Sequence, residues 1–277
     1  MPELPEVETT RRGLAPLLMG QRIQAAVVRN RALRLPVPRA LPQLLAGAVI
    51  RGLARRGKYL LIDCAQANGK TGTLILHLGM SGRLWVVDRA TPAGKHDHFD
   101  LALDSGTVVR LRDPRRFGLV LWEKGDPLRH KLLAAIGPEP LSAEFDGAWL
   151  HQVTRQRSAA IKLVIMDSHA VAGVGNIYAN EALYRSGIHP LLQARRVSAA
   201  RCALLARHIR ETQDDAIVAG GSSLRDYVGS DGMAGNFQSQ FLVYGRAGEP
   251  CRRCGSAVRH VQQGQRATYY CPICQKR

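Results

Sequence analysis

Four cysteines near the C-terminus constrain the fold of this chain more than any other feature. They form two knuckles, Cys251-x2-Cys254 and Cys271-x2-Cys274, with 16 residues between them. Paired Cys-x-x-Cys knuckles at this separation fit a structural zinc site. Four thiolates close a tetrahedral shell around one Zn2+ and leave no position for a substrate water, so the metal builds structure and leaves the chemistry to other residues. The segment from Tyr244 onward is too short to bury a sufficient core alone, and a metal replaces that core. Between the knuckles, the alternation around Val258 and Val261 and again from Ala267 to Tyr270 predicts a β-hairpin that presents Arg266. Arg252, Arg253, Lys276 and Arg277 add positive charge. The other two of the six cysteines, Cys64 and Cys202, lie in apolar runs and read as core.

The rest of the composition points to a polyanionic partner. Lys and Arg total 39 against 22 acidic residues, a net charge of +17. An excess of that size suits nucleic acid first and an anionic membrane surface second. No stretch approaches the roughly 20 apolar residues of a membrane span. The first residues are acidic and lack the apolar core of a signal peptide, so the expected location is the reducing cytoplasm. At 277 residues, with 45% hydrophobic content, the chain suits one large or two modest domains with true cores.

The first half reads mainly as β. A helix over 3–18 precedes apolar runs at 23–28, 59–63 and 73–87. Runs at 99–103 and 107–111 flank Asp104-Ser105-Gly106, a hairpin signal, and a further strand is expected at 117–122. Regularly spaced short strands suggest a sandwich or barrel. The pattern turns helical after Gly137-Pro138-Glu139-Pro140, with apolar spacing around Leu150 and Val153, over 161–166, and from Ser198 through Leu204, Leu205 and Ile209. Gly173-Val174-Gly175-Asn176 is a glycine-bearing turn entering a helix. The expected division is 1–136, 137–243 and 244–277.

The chain begins Met1-Pro2-Glu3-Leu4-Pro5-Glu6. Loss of Met1 would leave Pro2 with a free secondary amine. An α-amine has a pKa of roughly 7.7–8.0, so a useful fraction is neutral at cell pH and can attack a sugar carbon to form a Schiff base. Proline gives an iminium, whose positive charge is an electron sink for bond breaking at the adjacent carbon. Read in isolation, the same residues are helix-start prolines and glutamates favoured at a helix N-terminus.

Seven motifs in register along the whole chain resemble the formamidopyrimidine-DNA glycosylase family. They are Pro2-Glu3-Leu4-Pro5-Glu6-Val7-Glu8, Arg55-Arg56-Gly57-Lys58-Tyr59, His77-Leu78-Gly79-Met80-Ser81-Gly82 and Lys95-His96-Asp97-His98. Asp113-Pro114-Arg115-Arg116-Phe117-Gly118, Gly173-Val174-Gly175-Asn176-Ile177-Tyr178 and Gln265-Arg266-Ala267-Thr268-Tyr269-Tyr270-Cys271 complete the set. The resemblance implies an α+β multidomain fold: an N-terminal β-sandwich with a flanking helix, a helical helix–two-turn–helix domain and a C-terminal zinc finger. It implies a monomeric enzyme that removes oxidised purines from damaged double-stranded DNA and then cuts the strand by β,δ-elimination.

The resemblance also distributes roles. Pro2 is the nucleophile and Glu3 handles protons on the sugar. Lys58 serves β-elimination, although without the resemblance its basic neighbourhood favours plain phosphate contact. Arg266 serves δ-elimination; an arginine stays charged in proteins, which favours phosphate placement over proton donation. Met80, Arg115 and Phe117 fill the stack where the damaged nucleotide leaves it, with Arg115 facing the orphaned cytosine. On residue type alone, Met80 and Phe117 are more often core residues, although the glycine-containing turns beside them, Met80-Ser81-Gly82 and Phe117-Gly118, suit loop tips. His96, Arg157, Lys162 and Asn176 are expected DNA contacts, and the glycine-bearing segment 228–235 is expected to close over the extruded base. His96 and His98 could instead suggest a metal site, but no matching ligand set completes one.

Two other readings compete. A relative that acts on oxidised pyrimidines typically begins Pro-Glu-Gly-Pro-Glu, where this chain has Leu4. A non-catalytic zinc-finger DNA-binding protein would need the charge and the finger but no free proline.

Overall fold

Helix α1 (Leu4–Leu18) starts where Glu3 and Glu6 form a reciprocal capping box, with Pro5 in its first turn. This arrangement satisfies N–H groups that a helix start otherwise leaves without partners. Val7, Leu14 and Leu18 lie on one face of α1 and enter the core of the strands that follow. The computed structural model describes residues 2–222 and 235–277. These divide into a first unit of 1–134 with 220–236, and a second of 135–219 with 237–277.

The first unit is a sandwich of two four-stranded antiparallel sheets. One has the order β1 (Ile23–Val28), β6 (Asp97–Leu103), β7 (Thr107–Arg112), β5 (Arg83–Asp88). The other has the order β2 (Val49–Arg56), β3 (Tyr59–Ala65), β4 (Thr71–His77), β8 (Leu119–Glu123). A short helix, α2 (Leu41–Leu45), follows β1 in the chain. Phe99, Leu101 and Leu111 from one sheet and Leu60, Ile62, Leu74 and Val120 from the other share one core, as period-2 alternation requires.

Two expectations need adjustment. The apolar run 73–87 is two strands in different sheets, because the chain turns at Gly79, whose φ of +63° suits glycine. The last strand begins at Leu119, because Phe117 lies in the preceding loop.

The second unit packs α3 (Gly147–Thr154), α4 (Ile161–Ile165), α5 (Asn176–Arg185) and α6 (Ala199–Val218) around Phe145, Leu150, Ile165, Leu183 and Leu205. Asp146 caps α3 through the Trp149 N–H at 2.7 Å. Strands β9 (Arg259–Gln263) and β10 (Arg266–Tyr270) form the expected finger hairpin. The cysteine knuckles flank it, and Val258, Cys251, Cys271, Val243 and Tyr184 make its small core. No helix among the described residues is long and apolar enough to cross a membrane.

Candidate active site and metal centre

Pro2 is buried at the start of α1. Glu3 and Glu6 are each 1% exposed, so the residues directly after Pro2 carry carboxylates largely shielded from water. Glu6 holds this corner together. One oxygen accepts the Glu3 N–H at 2.7 Å, and the other accepts the Ser222 N–H at 2.8 Å and its hydroxyl at 3.0 Å. The residues that prepare the N-terminus are thereby tied to the chain entering the 223–234 stretch. The expected closing segment 228–235 lies outside the described residues except for Gly235.

The turn carrying Lys58 is fixed to the same helix. Gly57 and Lys58 form a two-residue hairpin between β2 and β3, with Gly57 at φ +56°. Arg55 donates to the Gly57 carbonyl at 2.9 Å and pairs with Glu8 on α1 at 3.2 Å. Burial works to raise the Glu8 pKa, but hydrogen bonds from Arg11 and Arg12 and the charge of Arg55 outweigh it and hold the group at about 2. Next to this turn, the His77 ring packs at a tilt against Tyr59, with centroids 4.7 Å apart. Burial first, and then the charges of Lys58 and Arg34, lower the His77 pKa to about 4. The ring is therefore neutral at cell pH, and its Nδ1 accepts the Gly79 N–H at 2.9 Å.

Met80 and Phe117 occupy exposed loop tips, at 41% and 43% exposure, which settles the choice between core and tip. The Arg115 guanidinium lies over the Phe117 ring at 4.7 Å. His96 is half-buried at the start of β6. His98 is buried instead, with Nε2 2.9 Å from the Asp113 carbonyl oxygen. The His96–His98 pair forms no metal cluster among the described residues.

In the second unit, Arg157 is exposed and pairs with Asp167 at 3.1 Å. Asn176 opens α5, and its amide donates to the Ala267 carbonyl at 3.1 Å. Lys162 requires a correction. It was expected on DNA, but it is 0% exposed, and its Nζ donates to the Thr268 hydroxyl at 2.6 Å and the Ala267 carbonyl at 3.0 Å. A buried ammonium needs acceptors on all sides, and the finger hairpin supplies them. Arg266, exposed at the start of β10, adjoins this anchored residue.

Sequence reading missed Glu181 and Asn180. Glu181 is fully buried and accepts the N–H groups of Leu242, Val243 and Tyr244 at 2.8, 3.0 and 2.8 Å. Burial pushes its pKa up against these bonds. Asn180 accepts the Tyr269 N–H at 2.8 Å. Two adjacent polar residues between the apolar Ile177, Ala179 and Ala182, Leu183 of α5 are the available signal.

The four knuckle cysteines place their Sγ atoms within 4.8 Å of one another. Cys251 and Cys274 are 3.9 Å apart, and Cys254 and Cys271 are 3.4 Å apart. Tetrahedral Zn–S bonds of roughly 2.3 Å would separate the sulfurs by about 3.8 Å, so the donor set fits one zinc ion. The thiols alone do not suit one another. Burial and then the neighbouring thiols push Cys274 up to about 12. Burial opposes ionisation of Cys251 too, but the Tyr184 hydroxyl at 3.1 Å and nearby backbone N–H groups bring it down to about 6. A central cation resolves this conflict.

Three family models match the chain: the formamidopyrimidine-DNA glycosylase N-terminal domain over residues 1–120, the H2TH domain of the same glycosylase over 136–228, and a zinc finger found in FPG and IleRS over 248–277. The chain is 56% identical over 278 residues to a formamidopyrimidine-DNA glycosylase of Dechloromonas aromatica, covering 99% of this chain and 100% of that one. Among solved structures, a mutant Lactococcus lactis FPG bound to Fapy-dG-containing DNA aligns with TM-score 0.92 at 34% identity over 100% of both chains. The Lactococcus lactis protein with abasic-site DNA aligns with TM-score 0.91 at 34% identity, again over 100% of both chains.

Proposed function

This chain belongs to the formamidopyrimidine-DNA glycosylase family, and we propose that it excises oxidised purines, 8-oxoguanine and formamidopyrimidines, from damaged duplex DNA and cleaves the strand at the resulting abasic site. The observation that carries the reading is the corner around Pro2. Pro2 is buried directly before Glu3, whose N–H is held by the buried Glu6 carboxylate, and the Glu8–Arg55 bridge ties the following helix to the turn bearing Lys58. Solved relatives bound to Fapy-dG DNA and to abasic-site DNA correspond to the substrates of the two steps.

In this reading, removal of Met1 frees the Pro2 nitrogen, which attacks C1′ of the damaged nucleotide. The C1′–N bond to the base breaks and the base departs. Loss of the Pro2 N–H proton and opening of the C1′–O4′ bond, with O4′ taking a proton from Glu3, then give the iminium, which acidifies the C2′ proton, whose loss drives β-elimination of the 3′ phosphate. A second elimination expels the 5′ phosphate and leaves a one-nucleotide gap. Glu3 moves protons on the sugar. Lys58 and Arg266 place positive charge where the two phosphates leave. Met80, Arg115 and Phe117 fill the vacated stack, with Arg115 donating to the unpaired cytosine. His96, Arg157 and Asn176 contact the DNA backbone. Cys251, Cys254, Cys271 and Cys274 hold one zinc ion, which shapes the finger and takes no part in bond breaking.

The chain works as a cytoplasmic monomer, with segment 1–136 carrying the nucleophile and wedge, 137–243 gripping the backbone, and 244–277 presenting Arg266. Two solitary buried cysteines and a four-thiolate finger suit a reducing compartment.

Borohydride trapping on duplexes that each carry a single lesion tests the reading. The wild-type protein, with Met1 removal checked by intact mass, is expected to give a covalent complex, and Pro2→Gly a strongly weakened one. Unchanged trapping by Pro2→Gly would move the nucleophile to a lysine.

A further inference from the structure

We propose that Asp113 is a positioning residue for base extrusion: its buried carboxylate fastens the loop bearing Met80 to the loop bearing Arg115 and Phe117, so that the two act as one preset wedge. The inference rests on the functional reading above, which places these three side chains in the DNA stack. The two loops are far apart in sequence, and each crosses between the sheets of the sandwich. One joins β4 to β5 and the other joins β7 to β8.

Asp113 is 0% exposed. Its Oδ1 accepts the Ser81 hydroxyl at 2.7 Å, one residue after Met80. Its Oδ2 accepts the Gly118 N–H at 2.7 Å, one residue after Phe117. The Ser81 oxygen in turn accepts the Arg115 N–H at 3.2 Å, closing a ring of bonds between the loops. The backbone of Asp113 is held as well, since its N–H donates to His96 and its carbonyl meets the His98 ring at 2.9 Å.

The packing shows how tightly the loops are set. A Cβ on Gly79 would lie 2.5 Å from the Phe117 carbonyl carbon, and one on Gly118 would lie 2.8 Å from the His77 oxygen. Arg116, between Arg115 and Phe117, has φ +57°, the only left-handed non-glycine residue among those described. Such a conformation is unfavourable for a residue with a Cβ and persists where the surroundings over-determine it. A rigid, strained, hydrogen-bonded base thus carries a large apolar side chain on each tip, held out in water. That suits a wedge whose shape must exist before DNA arrives, because ordering it during insertion would oppose extrusion.

The test is Asp113→Asn, with Ser81→Ala as a second variant that removes one tie and leaves the carboxylate. An asparagine at 113 keeps one acceptor for the Gly118 N–H and turns a donor towards the Ser81 oxygen, so the charged tie to Ser81 is replaced by a reversed, neutral one while the side-chain shape is kept. Four quantities are read for wild type and variants: excision of 8-oxoguanine opposite cytosine, excision opposite adenine, cleavage of a preformed abasic site, and Tm. A preformed abasic site has no base to evict, so it reports the nucleophile without the wedge. Excision opposite cytosine is expected to fall on the order of 10–100-fold, as loss of precise placement does. Abasic cleavage should stay within about threefold of wild type, and the preference for cytosine over adenine should shrink towards one.

Equal loss of excision and abasic cleavage, with the opposite-base preference intact, would overturn the proposal and make Asp113 a fold residue only. Unchanged excision in both variants would overturn it as well. If Asp113→Asn does not fold, Ser81→Ala decides by the same criteria. Failure of the wild-type protein on both substrates would instead remove the functional reading itself.

Discussion

The wedge loops and the zinc finger both present exposed side chains from a small base, but they secure that base differently. The loops bearing Met80 and Phe117 rise from a sandwich with a large shared core, and a single buried carboxylate aligns them. The finger has a core of a few residues and depends on four thiolates, with polar anchors from α4 and α5 holding its hairpin. Where apolar burial is plentiful, a hydrogen bond suffices to set geometry. Where it is scarce, a metal must supply the fold itself.

The widest separation between the two regions is expected on metal removal. Structural zinc contributes an apparent binding free energy on the order of 10 kcal/mol in small modules. A strong chelator or Cys254→Ser should therefore collapse the hairpin that presents Arg266. Strand cleavage should be lost, and hydrogen exchange in β9 and β10 should accelerate by orders of magnitude. Exchange in β3, β4 and β7 should hold. Equal loss of protection in the sandwich strands would show that the two regions do not stand independently.

Lys162 gives a finer cut. A DNA-contacting lysine and a hairpin anchor predict opposite results for Lys162→Met. Loss of a phosphate contact would reduce the salt slope of DNA binding by about one and leave stability alone. Loss of a buried anchor should leave the slope unchanged and cost about 1–3 kcal/mol, because the Thr268 hydroxyl and the Ala267 carbonyl lose a charged donor. The buried geometry predicts the second outcome, with zinc content by metal analysis at one per chain.

The same residue shows where sequence reading stops. Turn chemistry and local periodicity are visible along the chain, so Asp104-Ser105-Gly106 located the β6–β7 hairpin and the knuckle spacing located the finger. Lys162 is a DNA contact only by the resemblance, and nothing beside it in the chain marks it as buried; its acceptors are 105 and 106 residues away. Asp113 lies inside the motif Asp113-Pro114-Arg115-Arg116-Phe117-Gly118, but its partner Ser81 is 32 residues upstream and reaches it only through the sheet crossing. Strand β2 lacks the alternation that marks a half-buried strand, with Gly52 and three arginines along its length, and it pairs through a register shift between Ile50 and Gly52. Local patterns named the elements and much of the candidate chemistry. The ties between distant residues are properties of the packed chain alone.

Acid offers the smallest effect and the cleanest sign. Glu8 is held at about 2 in the folded protein against an ordinary value of 4.5. A carboxylate whose folded pKa is depressed contributes stability that is complete above its unfolded pKa and fades as pH falls towards the folded one. Wild-type Tm should therefore decline between about pH 4.5 and pH 2 by more than that of Glu8→Gln, which lacks this contribution throughout. At pH 7 the variant should melt a few degrees lower, as loss of about 1 kcal/mol would give. Asp97 and Asp100, which burial would raise but their arginine partners hold down, are unchanged between the two proteins, so the difference between the two curves isolates Glu8. Parallel curves would mean that Glu8, Arg11, Arg12 and Arg55 form a solvated cluster with no net contribution, and that the Lys58 turn is held by the β2–β3 hairpin alone.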